Sequence, residues 1–193
     1  DIDGSLLDEI PIGEPGDYES VEDVEGTLYV GRSDGMLMRV DPKTRATKQM
    51  DVSEKLGKAC ELESLGYQRE QRRLLLACKG ASADGSRANG STFLIHALDV
   101  TTAQMMAEPA YRISTADVET WLASHQDVAE LRGLKDTGFS PSGMAVHPKT
   151  GELYLVSTTG EMLVVLDRKG KIVRMHALDR AVAVLRTAGV SRA

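Results

Sequence analysis

The sequence predicts an all-β fold, an incomplete β-propeller of about three and a half four-stranded blades with one inserted helix. One phrase recurs: Tyr18-Glu19-Ser20-Val21, Leu62-Glu63-Ser64-Leu65 and Pro141-Ser142-Gly143-Met144 each open a run that passes a turn and enters an apolar strand. Those strands are Leu28-Tyr29-Val30, Leu74-Leu75-Leu76 and Leu153-Tyr154-Leu155. Each run then crosses a polar loop and another strand to an Asp-led turn, at Asp41, Asp99 and Asp167. A four-strand unit repeating every 40 to 50 residues or so is the mark of a propeller blade.

Composition agrees and excludes some functions. With 41% hydrophobic residues the chain can bury a core, but only 4% are aromatic, so that core rests on Leu, Val, Ile and eight Met. The net charge of −6 is scattered along the chain, which disfavours a nucleic-acid partner and supplies no polybasic membrane anchor. No stretch is long and apolar enough for a transmembrane segment. The chain opens on Asp1, which leaves room for a removed targeting segment.

Taken in order, residues 1–12 read as the outer strand of a preceding blade. Asp1-Ile2-Asp3-Gly4 resembles the front of a calcium loop but lacks the Glu at its twelfth position and the flanking helices, so it reads as a hairpin turn. A blade follows at 17–51 and a second at 60–113. The second contains a Gly/Ser/Ala-rich excursion from Gly80 to Gly90, with the flexible composition of a connection. Asn89-Gly90-Ser91 fits the glycosylation acceptor pattern, a tripeptide common by chance.

Pairing of 61–67 with 73–78 would bring Cys60 and Cys78 nearly opposite one another, within disulfide range. Two reduced, buried thiols are the alternative, and the favoured one, because free Cys behaves as a small hydrophobe. Two cysteines with four dispersed His make no zinc site.

The helical insertion spans 114–133. Ser114-Thr115-Ala116-Asp117 is a capping-box variant, and Val118, Trp121, Leu122 and His125 share one helical face, predicting a helix over 115–131 that ends near Gly133. His125 reads as a packed side chain, since no second metal-type residue shares its spacing. A third blade lies at 139–178, and 179–193 is an atypical tail where no fourth opening phrase appears.

The phrases Glu-Ser at the start of inner strands, Leu74-Leu75-Leu76-Ala77-Cys78-Lys79, and the run from Pro141 to Tyr154 resemble the SdiA-regulated, YjiK-like propeller family over about residues 1–178. The resemblance implies a six-bladed parent in a bacterial exported, periplasmic or envelope-associated protein of undetermined role. Where that family opens another blade with a Glu-Gly phrase, this chain has Ala181 to Ala193.

Blade geometry turns the phrases into positions. Glu19, Glu63 and Ser142 should ring the channel at one end, with Arg32, Ser33, Asp34, Lys79, Thr158 and Thr159 beside them. The helix should lie over the same end, burying Val118, Trp121 and Leu122. A small molecule or protein at this channel face is the expected partner.

Glu19 and Glu63 could ligate Ca²⁺, though two carboxylates are too few alone. The favoured reading makes them ties at the strand ends, bonded to backbone N–H or paired with Arg32 and Lys79. His147 belongs to the opposite end, and His96 and His176 fall within strands. Gly138-Phe139-Ser140-Pro141-Ser142 lacks the final Gly of a nucleophile elbow and leads into a strand, so serine catalysis is disfavoured. The expected function is a non-catalytic binding module; the alternative is a Ca²⁺-dependent hydrolase of lactonase or phytase-like esterase type.

Overall fold

A computed structural model describes residues 5, 6, 8–58, 60–79, 92–125, 127 and 138–178. The first blade is β1 (Tyr18–Val24), β2 (Thr27–Arg32), β3 (Met36–Val40) and β4 (Thr47–Asp51), paired antiparallel in that order. A short helix, α1 (Ser53–Leu56), leads to the second blade: β5 (Glu61–Gln68), β6 (Arg73–Lys79), β7 (Thr92–Asp99), β8 (Gln104–Met105) and β9 (Tyr111–Ser114). Both β8 and β9 pair with β7, at its two ends, so together they act as a split fourth strand. After α2 (Thr115–Ser124) comes the third blade, β10 (Gly143–Val146), β11 (Leu153–Ser157), β12 (Met162–Leu166) and β13 (Ile172–Ala177).

The turns explain why these strands end where they do. Glu25 and Gly26 both take positive φ, 54° and 86°, the requirement of a tight two-residue hairpin. Between third and fourth strands each blade uses an Asp whose carboxylate accepts two backbone N–H groups. These come from Lys43 and Thr44 for Asp41, from Thr101 and Thr102 for Asp99, and from Lys169 and Lys171 for Asp167. Those bonds, Thr44, Thr102 and Lys171 foremost, hold all three carboxyls below the ordinary Asp range. The repeated Asp is therefore a turn-former.

The middle blade carries the core on both faces. Leu75, Ala77, Phe93, Ile95 and Ala97 face the third blade with Leu153, Leu155, Met162 and Val164. Leu62, Leu65, Leu74, Leu76 and Leu98 face the first blade with Tyr29, Leu37 and Val52. This double burial explains the near-continuous apolar runs in β6 and β7. The three inner strands are neighbours, with β5 between β1 and β10.

Side chains stitch these strands together. Ser20 Oγ accepts the Leu65 N–H at 2.9 Å, and one blade further on Ser64 Oγ accepts the Met144 N–H at 2.8 Å. Glu22 adds a bond from the Tyr67 N–H at 3.1 Å. At the position matching Glu22 the second blade has Gly66, where a Cβ would stand 3.2 Å from Val146 and 3.3 Å from Met144. Gly66 is thus a close-approach residue.

Several expectations are corrected. Residues 5, 6 and 8–12 form no strand. The adjoining segment is held to the first blade by Arg45, which donates to the Asp8 carboxylate at 3.1 Å and to the Glu9 carbonyl, and by the Tyr18 hydroxyl on the Glu14 carbonyl at 2.8 Å. Cys60 and Cys78 are not reduced thiols; they form a disulfide with a Cα–Cα separation of 5.0 Å. Their reach follows from the β5–β6 register, which pairs Leu62 with Cys78.

The helix starts as expected, with the Ser114 side chain bonded to the Asp117 N–H and the Asp117 carboxylate returning to the Ser114 N–H. It stops at Ser124, short of 131, and packs on β9 and β13, the outer strands of two blades. It therefore rides the rim instead of covering the channel, because it leaves from a blade's outermost strand. Val118 and Leu122 are buried, whereas Trp121 is only half-buried and stacks on His125 at 3.8 Å. The excursion 80–90 with Asn89, the end near Gly133 and the tail 179–193 lie outside the described residues.

Candidate channel-end site

Both repeated glutamates sit on β-bulges. The β1–β2 register slips between Tyr18 and Ser20, and the β5–β6 register between Leu62 and Ser64, so Glu19 and Glu63 are the extra residues. A bulge re-aims one side chain while the flanking strand keeps its pairing. Here it lets Ser20 and Ser64 face the next blade while the Glu before each turns to the strand end. Ser142 holds the matching position in the third blade. Its hydroxyl bonds the Val156 carbonyl at 3.3 Å and accepts the Thr158 N–H at 3.2 Å, tying β10 to the end of β11.

The expected residues do share one end, but in separate partnerships. Lys79 Nζ donates to Glu63 Oε1 at 2.9 Å, and this bond first, then the charge of Glu63, raises the Lys79 ammonium above its ordinary value. Glu19 is exposed and, among the described residues, makes no ion pair. A hydrogen bond with Asp17 raises its pKa, reinforced by the charges of Asp17 and Glu63 and weakly opposed by Lys79. Arg32, expected beside Glu19, instead forks onto Asp34, with Nε to Oδ1 at 2.9 Å and Nη2 to Oδ2 at 2.7 Å. That pairing holds the Asp34 carboxyl below its ordinary range.

The disulfide positions this cluster. Cys60 precedes Glu61 and Cys78 precedes Lys79, so the bridge locks the strand ends that carry the Glu63–Lys79 pair. Among the described residues no group of three or more His, Cys, Asp or Glu side chains is arranged to hold a metal ion. With Glu63 engaged by Lys79, the described residues at this end of the inner strands carry Asp17, Glu19, Glu61, Glu63 and Asp34 against Lys79 and Arg32.

Sequence reasoning missed two features. Ser20, Ser64 and Glu22 join blades; their signal was the inward register of the inner strand, overshadowed by the glutamates. At the opposite end lies a depression of about 150 Å³, lined by Glu22, Gln68, Arg69, His147 and Arg168 among others. There Glu22 is half-buried, and desolvation raises its pKa against the lowering bond from the Tyr67 N–H. The His147 Nδ1 accepts N–H groups from Lys149 and Thr150, at 3.3 and 3.1 Å, which places the proton of the neutral ring on Nε2.

Comparison with solved structures agrees with the blade architecture. The chain resembles the crystal structure of RRP9 WD40 repeats, with a TM-score of 0.51 and 11% identity over 86% of this chain and 40% of that one. It likewise resembles the structure of U3-55K, with a TM-score of 0.50 and 12% identity over 84% of this chain and 40% of the other. The chain thus spans 40% of the length of these two structures. No family model matches it, and no curated protein does. At such identities the likeness shows the fold alone: the described residues form three consecutive blades of an incomplete β-propeller, with a helix at the rim. Among the described residues no helix is long and apolar enough to cross a membrane.

Proposed function

We propose that the chain is a non-catalytic binding module whose channel end recognises a cationic group on a small molecule or protein. The observation that carries this reading is the fixed charge pattern of that end. Among the described residues, carboxylates on and beside the bulged strands outnumber the two cations, Arg32 and Lys79, and both cations are already paired within the cluster. Acidic groups held by a scaffold favour an incoming positive charge without needing a nucleophile.

The location we propose is exported, periplasmic or envelope-associated. The Cys60–Cys78 disulfide supports it, since such bonds persist in oxidising compartments. So does the resemblance of the repeated phrases to the SdiA-regulated propeller family.

The test is titration calorimetry with hexalysine and hexaglutamate at low and high salt, on the unmodified chain and on Glu19→Gln/Glu61→Gln. Hexalysine alone should bind, more weakly as salt rises, and the double variant should lose most of that binding. Equal binding of both peptides would overturn the reading. Calcium-dependent hydrolysis of a lactone, abolished by Glu63→Gln, would establish the hydrolase alternative instead.

A further inference from the structure

The inner strands obey a pairing rule that the molecule states twice. Counting from each opening phrase, the third residue of one inner strand supplies a hydroxyl to the N–H of the fourth residue of the next: Ser20 to Leu65, then Ser64 to Met144. At the first junction the fifth residue adds a carboxylate for the sixth N–H, Glu22 to Tyr67. In β1 the fourth and sixth residues are Val21 and Asp23. The two-residue turn at Glu25–Gly26 makes Val24 and Thr27 partners, so alternation along the strand sends the Val21 and Asp23 N–H groups away from β2. Val21 is 61% exposed, whereas Leu65 at the same place in the second blade is 1% exposed.

We propose that this face of β1 receives a propeller blade different in sequence from the three in this chain, one whose inner strand carries Ser or Thr third and a carboxylate or amide fifth. The face continues an interface already built twice in the molecule, which fixes the kind of occupant. A second copy of the chain does not fit it. Head-to-tail stacking would set the third blade against β1, and that blade has Gly143 third and Ala145 fifth, with neither hydroxyl nor carboxylate. The covered Val21 N–H would then lack the hydroxyl acceptor that both junctions in the molecule supply, which opposes association. The inference concerns the side of the blade stack and stands apart from whatever binds the channel end.

Two measurements test it. Amide exchange on the unmodified chain should show Val21 and Asp23 exchanging at least about tenfold faster than Leu65, Tyr67 and Met144. Protection of Val21 equal to that of Leu65 would overturn the proposal. Sedimentation velocity on Gly143→Ser/Ala145→Glu then supplies the missing acceptors to a second copy. At a net 0.5–1.5 kcal/mol per hydrogen bond, head-to-tail association should tighten roughly fivefold or more. Adding Val21→Pro, which removes the N–H from an edge position, should cancel the gain. There is room for the first substitution, since the nearest atom to a Cβ at Gly143 is Val156 Cβ at 3.7 Å.

The proposal falls if the double variant folds and associates no more than the unmodified chain. It also falls if the unmodified chain already self-associates and Val21→Pro dissolves the complex, since a second copy would then be the occupant. Should the double variant misfold, the exchange measurement decides.

Discussion

The two junctions between blades solve one problem by different means. Between the first and second blades, β1 presents Ser20 and Glu22 as acceptors, and the backbone N–H groups of Leu65 and Tyr67 in β5 are satisfied by side chains. Between the second and third, Ser64 serves alone, its hydroxyl within 3.5 Å of the Met144 carbonyl as well as bonded to the N–H. There Gly66 lets β10 come close enough to pack, and Phe93 meets Phe139 edge-on at 5.4 Å. Both junctions are apolar and close-packed, but the first adds a titratable acceptor, Glu22, at the position where the second has Gly66.

The largest effect should come from breaking the second junction. Phe139→Ala removes a ring that is 2% exposed and leaves its partner Phe93 facing a void, a loss of about 3–5 kcal/mol. Urea unfolding followed by Trp121 fluorescence should detect it, because that ring packs beside the same cluster. Reducing the Cys60–Cys78 disulfide, which closes an 18-residue separation, should cost about 3 kcal/mol by the chain-entropy account. Melting with and without reductant measures this, and Cys78 places the loss on the first-junction side of the second blade.

Next in size are the hydroxyl ties. Ser64→Ala and Ser20→Ala each orphan one backbone N–H, for about 1–3 kcal/mol, and Ser64 should lie at the upper end because it is 5% exposed and Ser20 half-buried. Equal or reversed losses in chemical denaturation would erase the distinction drawn between the junctions.

A pH scan sharpens it further. His96 is buried on the face of β7 that also carries Leu98, toward the first blade, and among the described residues its Nε2 has no hydrogen-bond partner. Burial, aided by Arg112, lowers its pKa from 6.5. The neutral form is favoured in the folded state, so its contribution is present above about 6.5 and is lost as pH falls through the folded value. Stability measured from pH 7.5 down to 5 should decline less in His96→Phe than in the unmodified chain. Smallest should be Ala103→Gly. The turns of the first two blades place Arg45 and Ala103 at φ of 61° and 56°, where the third uses Gly170, so the change should stabilise by about 1 kcal/mol or less in thermal melts.

Much of this was legible in the sequence because blades repeat. The order of strands, the three Asp turns and the capping box at Ser114 all follow from local residue chemistry. The bulges at Glu19 and Glu63 did not. A bulge is a count of two residues against one across a hairpin, and neither strand shows it alone. For the same reason the glutamates drew attention that belonged to the serines beside them. The disulfide was decided by register, which composition does not contain. The helix was misplaced because a blade's last strand lies at the rim, a radial coordinate that chain order does not give.

Among the described residues each blade touches only its neighbours and the middle one alone has both faces covered, and it also holds the internal covalent bridge. Units coupled in a row lose their ends before their centre. Pulled at its termini in an optical trap, the chain should therefore release the outer blades in separate force steps, keeping β5 to β7 as the last element to give way. Under oxidising conditions that final extension should be shorter by the residues the disulfide encloses, which gives each molecule its own internal ruler of redox state.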